Sequence, residues 1–219
     1  MIIFRLLLFI LFFIPAVGLS EPFGYDNPIL SNKVKVYSWK TQRDWGIVKQ
    51  NYDFSCGAAS LATLLNNFYG LNISEEEILI AMNKREMAAS FYDMQIILPQ
   101  IGFVSKGFAL SYDDLMTIKI PVIVYLNYRR NNHFSVLTGI NAKTVSLADP
   151  NWGHITMSKE QFIKSWHTTN QETAGKILAI VPTNEEMFIL SNSNFFDKNP
   201  KRSTDFIVKQ FKKPMRNLF

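Results

Sequence analysis

Cysteine is nearly absent from this 219-residue chain: Cys56 is the single one, so the chain can close no internal disulfide and assemble no multi-cysteine zinc site. A lone thiol is either a small buried hydrophobe or a reactive group. Glycine (10) and proline (9) are too sparse for collagen-like or linker-like segments. Charged residues make up 19% against 47% hydrophobic, which excludes a disordered chain. No G-x-S-x-G elbow, H-E-x-x-H helix, P-loop or dinucleotide fingerprint occurs, so serine hydrolase, zincin and nucleotide-binding readings lack local support. Aromatic bulk is present in quantity: 18 Phe, 8 Tyr and 4 Trp supply the core of one ordinary domain.

A net charge of +5 invites a nucleic-acid or anionic-membrane reading until it is located. Residues 21–196 carry 15 basic and 16 acidic side chains, whereas residues 197–219 carry 7 basic and 2 acidic. The body is therefore close to neutral, no nucleic-acid partner is expected, and the basic excess belongs to the tail. That tail sets Phe206, Ile207 and Phe211 against Lys209, Lys212 and Lys213, the pattern of a short amphipathic helix for a membrane surface or a partner protein. At the other end, residues 1–20 have a signal-peptide layout: Arg5, an apolar block over 6–14, then the small residues Gly18 and Ser20 before Glu21. The apolar block is short for a membrane span, although left uncleaved it would act as a tether. The expectation is an exported protein, in the periplasm foremost, divided into a signal peptide (1–20), a domain (21–183) and a basic extension (184–219).

The segment VKVYSW from Val34 alternates like an edge strand. Residues 57–69 place Ala58, Leu61, Leu64, Leu65 and Phe68 at helical spacing, with Gly70 where a left-handed C-terminal residue belongs, so Cys56 falls at a helix N-terminus. Ser74 with Glu77 forms a capping box for a helix to about Lys84, and Ser90 caps another over 91–100, closed by Gly102. Strand patterns follow over 122–128, 133–140 and 144–148, the last two joined across Asn141, Ala142 and Lys143. Residues 154–157 add a further strand, Ser158 and Gln161 box a helix over 160–166, and 176–181 close with an apolar strand. Helices first and mostly antiparallel strands afterwards predict an α+β fold.

Thiol chemistry requires thiolate, which the partial positive charge of a helix N-terminus favours. Gly57 and Ala58 beside Cys56 leave room for a substrate to approach. Gln50, six residues upstream, could aim its amide at the same spot as the Cys56 N–H and form an oxyanion hole. Of the three histidines, His133 is the candidate base because it opens a strand after a polar turn. His154 and His167 lack that placement and read as surface or structural. Asp149, ending the strand SLAD, either orients the imidazole or merely forms the turn before Pro150.

Gln50, NYDFSCGAASLATLLNNFYG, HFSVLTGI and ADPNWG followed by MSKEQFIKSW together resemble the peptidase C39 family of papain-like cysteine peptidases, over about residues 50–181. The resemblance implies a papain-like fold, Cys56 as nucleophile, His133 as general base and acid, Asp149 as orienting group and Gln50 with the Cys56 N–H as oxyanion hole. A peptide or protein is then the substrate, and no metal or cofactor is required. Members often carry Asp before the cysteine where this chain has Ser55. Well-known members are also fused to an exporter, so cleavage after double-glycine leaders does not transfer directly. Two other functions fit the same residues, protein deamidation or transamidation and a catalytically idle peptide-binding or assembly module.

Overall fold

In a computed structural model, the structure describes residues 37–84, 86–128, 131–166, 175–189, 191–197 and 199–201. The expected signal segment, the tail helix, His167 and the opening residues of the strand expected from Val34 lie outside them. The rest of that strand is corrected: Trp39–Arg43 is a short helix, α1, because the Ser38 hydroxyl accepts the Thr41 N–H at 3.1 Å and starts a turn.

Helix α2, Cys56–Asn67, starts on the cysteine and is followed by Gly70 at φ +76°. Ten of its twelve residues are buried, as expected of a helix apolar nearly all round. Glu75–Ala81 (α3) and Phe91–Ile97 (α4) carry the capping boxes Ser74/Glu77 and Ser90/Asp93. α3 stops short of Lys84, where Asn83 turns to φ +53°. A 3₁₀ turn, Leu98–Ile101, leads to Gly102 at φ +83° and into β1, Phe103–Leu110. A further capped turn, Tyr112–Leu115 (α5), precedes β2, Val122–Tyr128. Then come β3 (Asn131–Ile140), β4 (Thr144–Asp149), β5 (Gly153–Ser158), α6 (Lys159–Trp166), β6 (Gly175–Pro182) and α7 (Glu185–Ile189).

The six strands form one sheet in the order β1-β6-β2-β3-β4-β5, and every neighbouring pair is antiparallel. Alternation along each strand sorts side chains to two faces. Ile123, Phe134, Val136, Ala148 and Leu178 join α2, α3 and α4 in one core, while Val122, Val124, Leu126, Leu137 and Leu147 pack with Phe162 and Trp166 of α6 in the other. Burial on both faces accounts for the nearly continuous apolar runs of β2 and β6. The fold is α+β, with the cysteine-bearing helix laid against an antiparallel sheet.

Candidate active site

Three tethers draw the segment before α2 into place. Val48 N–H donates to the Thr63 hydroxyl of α2 at 3.0 Å, Gln50 N–H to the Pro150 carbonyl at 3.1 Å, and Asn51 N–H to the Glu75 carboxylate of α3 at 3.0 Å. Ser55, fully buried, closes the last turn: its hydroxyl donates to the Tyr52 carbonyl at 2.7 Å and accepts the Tyr52 N–H at 3.1 Å. Cys56 then opens α2 with a buried thiol that is in no disulfide. Gly57 does not serve substrate access as expected. A Cβ there would lie 2.9 Å from Met94 Cε and 3.2 Å from both Ala89 Cβ and Phe134, so the glycine admits core packing against the helix start.

The antiparallel register brings His133 to Asp149. Val136 pairs with Ala148, which sets Ser135 opposite Asp149 one step on and makes His133, two residues earlier on the same face, its diagonal neighbour. His133 Nε2 and Asp149 Oδ2 are 2.8 Å apart, with the Asp149 side chain fully buried and that of His133 12% exposed. The other carboxylate oxygen, Oδ1, accepts the N–H groups of Asn151 and Trp152, both at 2.9 Å. Asp149 thus meets the imidazole through one oxygen and holds the turn through the other.

The Cys56 side chain is the second hydrogen-bond partner of His133. With Nε2 committed to Asp149, Nδ1 is the nitrogen available to sulfur. Burial opposes protonation of His133, but the hydrogen bonds to Asp149 and Cys56, reinforced by their charge, raise its pKa to about 9. Asp149 moves the other way: burial disfavours its charge, and His133 with two backbone N–H groups overcomes this and holds its pKa below the usual value. Tyr125 lies near the thiol in the aromatic cluster with Phe91 and Phe134, its phenol raised by burial and by Cys56.

Gln50 and His133 line an open cleft of about 1170 Å³, together with Trp39, Arg43, Trp152 and His154. Gln50 Nε2 donates to the Tyr52 carbonyl at 3.1 Å, which orients the amide, while Oε1 is buried without a hydrogen-bond partner among the described residues. His154 is structural, its Nε2 lying 2.9 Å from the Trp45 carbonyl. The sequence reading missed Glu75, which is buried although it sits in a run of three glutamates resembling a solvated first turn. Its only signal was its place beside a cap, and the fold alone brings it to Asn51.

Residues 44–173 match the model of the peptidase C39 family. The probable functional amyloid protease FapD of Pseudomonas fluorescens is 35% identical over 140 residues, covering 61% of this chain and 62% of that protein. The chain therefore spans less than two thirds of that relative's length. A solved double glycine motif protease from an AMS/PCAT transporter, in complex with the leader peptide, is 25% identical at a TM-score of 0.54, over 63% of this chain and 91% of that one. The peptidase domain of Streptococcus ComA, 22% identical, shares the fold at a TM-score of 0.54 over 62% of this chain and 97% of its own.

Proposed function

The chain belongs to the peptidase C39 family and is a cysteine peptidase, and from that premise we propose that Cys56, His133, Asp149 and Gln50 carry its chemistry. The observation behind this reading is the 2.8 Å contact of His133 Nε2 with the buried Asp149 carboxylate, with Cys56 at the start of α2 as the other side chain acting on His133. Cys56 Sγ attacks the scissile carbonyl carbon, and the oxyanion takes hydrogen bonds from the Gln50 amide and from the Cys56 N–H, which as the first of α2 has no helical acceptor. Protonated His133 gives its proton to the departing amine, releasing one product and leaving a thioester on Cys56. His133 then takes a proton from water, whose oxygen attacks the thioester and frees the second product. Asp149 holds the ring and offsets its charge throughout.

The substrate is a polypeptide exported by the same cell. The signal-peptide layout of residues 1–20 supports export to the periplasm, with residues 21–183 as the catalytic domain. The relative's name as a probable functional amyloid protease is compatible with an exported protein substrate. The basic tail, residues 197–219, supplies peripheral contact with a membrane or a partner protein. Comparing the N-termini of exported proteins in cells with the native chain and with Cys56→Ala tests this reading. Native cells are expected to show N-termini that vanish in the variant, and the chain itself is expected to begin at Glu21. Identical sets of N-termini would overturn the proposed substrate class, and a retained residue 1 would overturn the cleaved signal.

A further inference from the structure

Among the described residues only two carboxylates are buried, Asp149 and Glu75. Asp149 has a cation beside it in His133, whereas Glu75, 3% exposed, is held by amides. Its Oε1 and Oε2 share the Asn51 N–H at 3.0 and 3.2 Å, and Oε2 also accepts Asn51 Nδ2 at 2.6 Å. A carboxylate removed from water is costly unless its hydrogen bonds replace hydration, and bonds from N–H to a charged acceptor are short and strong. The group therefore binds tightly to one residue, Asn51, which directly follows Gln50. On the other side, Gln50 N–H is tied to Pro150, the residue after Asp149. The backbone from which the Gln50 side chain projects is consequently clamped between α3 and the end of β4.

We propose that Glu75 is a positioning residue for the oxyanion hole, its carboxylate fixing Asn51 and through it the direction of the Gln50 amide. The inference rests on the reading of Gln50 as an oxyanion donor. Oxyanion stabilisation depends on donors already aimed at the charge that develops, so a small displacement of the Gln50 backbone lowers turnover more than it lowers substrate affinity. Glu75 touches neither Cys56 nor His133 in any described hydrogen bond, so the nucleophile should react normally without it. In Glu75→Gln the volume is kept, but the new amide N–H₂ would meet an N–H of Asn51 donor to donor.

The test is a double-mutant cycle on Gln50→Ala and Glu75→Gln in the full chain, using a quenched fluorescent peptide chosen from a combinatorial library by its Cys56-dependent cleavage. Glu75→Gln is expected to lower kcat about tenfold to a hundredfold and to change KM less than about threefold. The rate of Cys56 alkylation by iodoacetamide should be unchanged, which a general loss of fold would not allow. In the Gln50→Ala background the same substitution should add no further loss, because the amide it aims is gone. An equal loss in both backgrounds overturns the proposal, as does a native kcat for Glu75→Gln alongside a reduced kcat for Gln50→Ala. A native kcat for Gln50→Ala removes the underlying reading and the inference with it.

Discussion

His133→Gln is expected to lower kcat/KM by about 10⁴ while the chain remains folded. Glutamine can still donate an amide N–H to Asp149, so the buried carboxylate keeps a partner and its two backbone bonds from Asn151 and Trp152. What is lost is a group that titrates. An amide neither holds a proton for the leaving amine nor takes one from water, so acylation and hydrolysis both stall. Steady-state cleavage of a quenched peptide, read beside thermal unfolding, separates this from damage to the fold. A variant within tenfold of the native chain would remove His133 from the reaction.

The second large effect concerns Asp149→Asn, and its sign follows from the two carboxylate oxygens. Oδ1 accepts two backbone N–H groups, so the asparagine oxygen stays there and the N–H₂ turns toward His133 Nε2. That nitrogen must then accept, which moves the imidazole proton to the nitrogen facing sulfur and fixes the wrong tautomer for base catalysis. A loss of about 10² to 10⁴ in kcat is expected. The pH profile should move too. Asp149 is one of the groups raising His133 to about 9, and the active form needs His133 protonated, so native activity falls as pH rises through about 9. Without the carboxylate the alkaline limb shifts down toward about 6.5, the ordinary histidine value. A profile of kcat/KM against pH for both proteins checks it, and an unmoved alkaline limb would contradict the assigned role.

Much of this site was legible because its determinants are local. The apolar spacing from Ala58 to Phe68 specifies a helix that begins on Cys56, and the Ser74/Glu77 box and the Ser90 cap are written in neighbouring residues. His133 near the start of one strand and Asp149 at the end of the next lie in strands that the β-branched pattern reveals, yet their contact depends on register, which the sequence order does not fix. The misses lie where burial leaves no pattern. Strand β1 is largely exposed along FVSKGFAL, and α1 buries no residue, so neither displays a periodic apolar face. In the second case the alternation of VKVYSW suggested a strand, and the Ser38 cap decided for a helix. Glu75 and Gly57 are long-range cases: one meets Asn51 and the other Met94, Ala89 and Phe134 only after the chain has folded.

The single cysteine makes the most direct test unambiguous, since any alkylation by iodoacetamide reports Cys56 alone. His133, its pKa raised to about 9, is the side chain that acts on this sulfur, so the reactivity of Cys56 depends on it. The alkylation rate at neutral pH is therefore predicted to be much higher in the native chain than in His133→Gln. A native rate no higher than that of His133→Gln would contradict the pairing of Cys56 with His133 and the mechanism built on it.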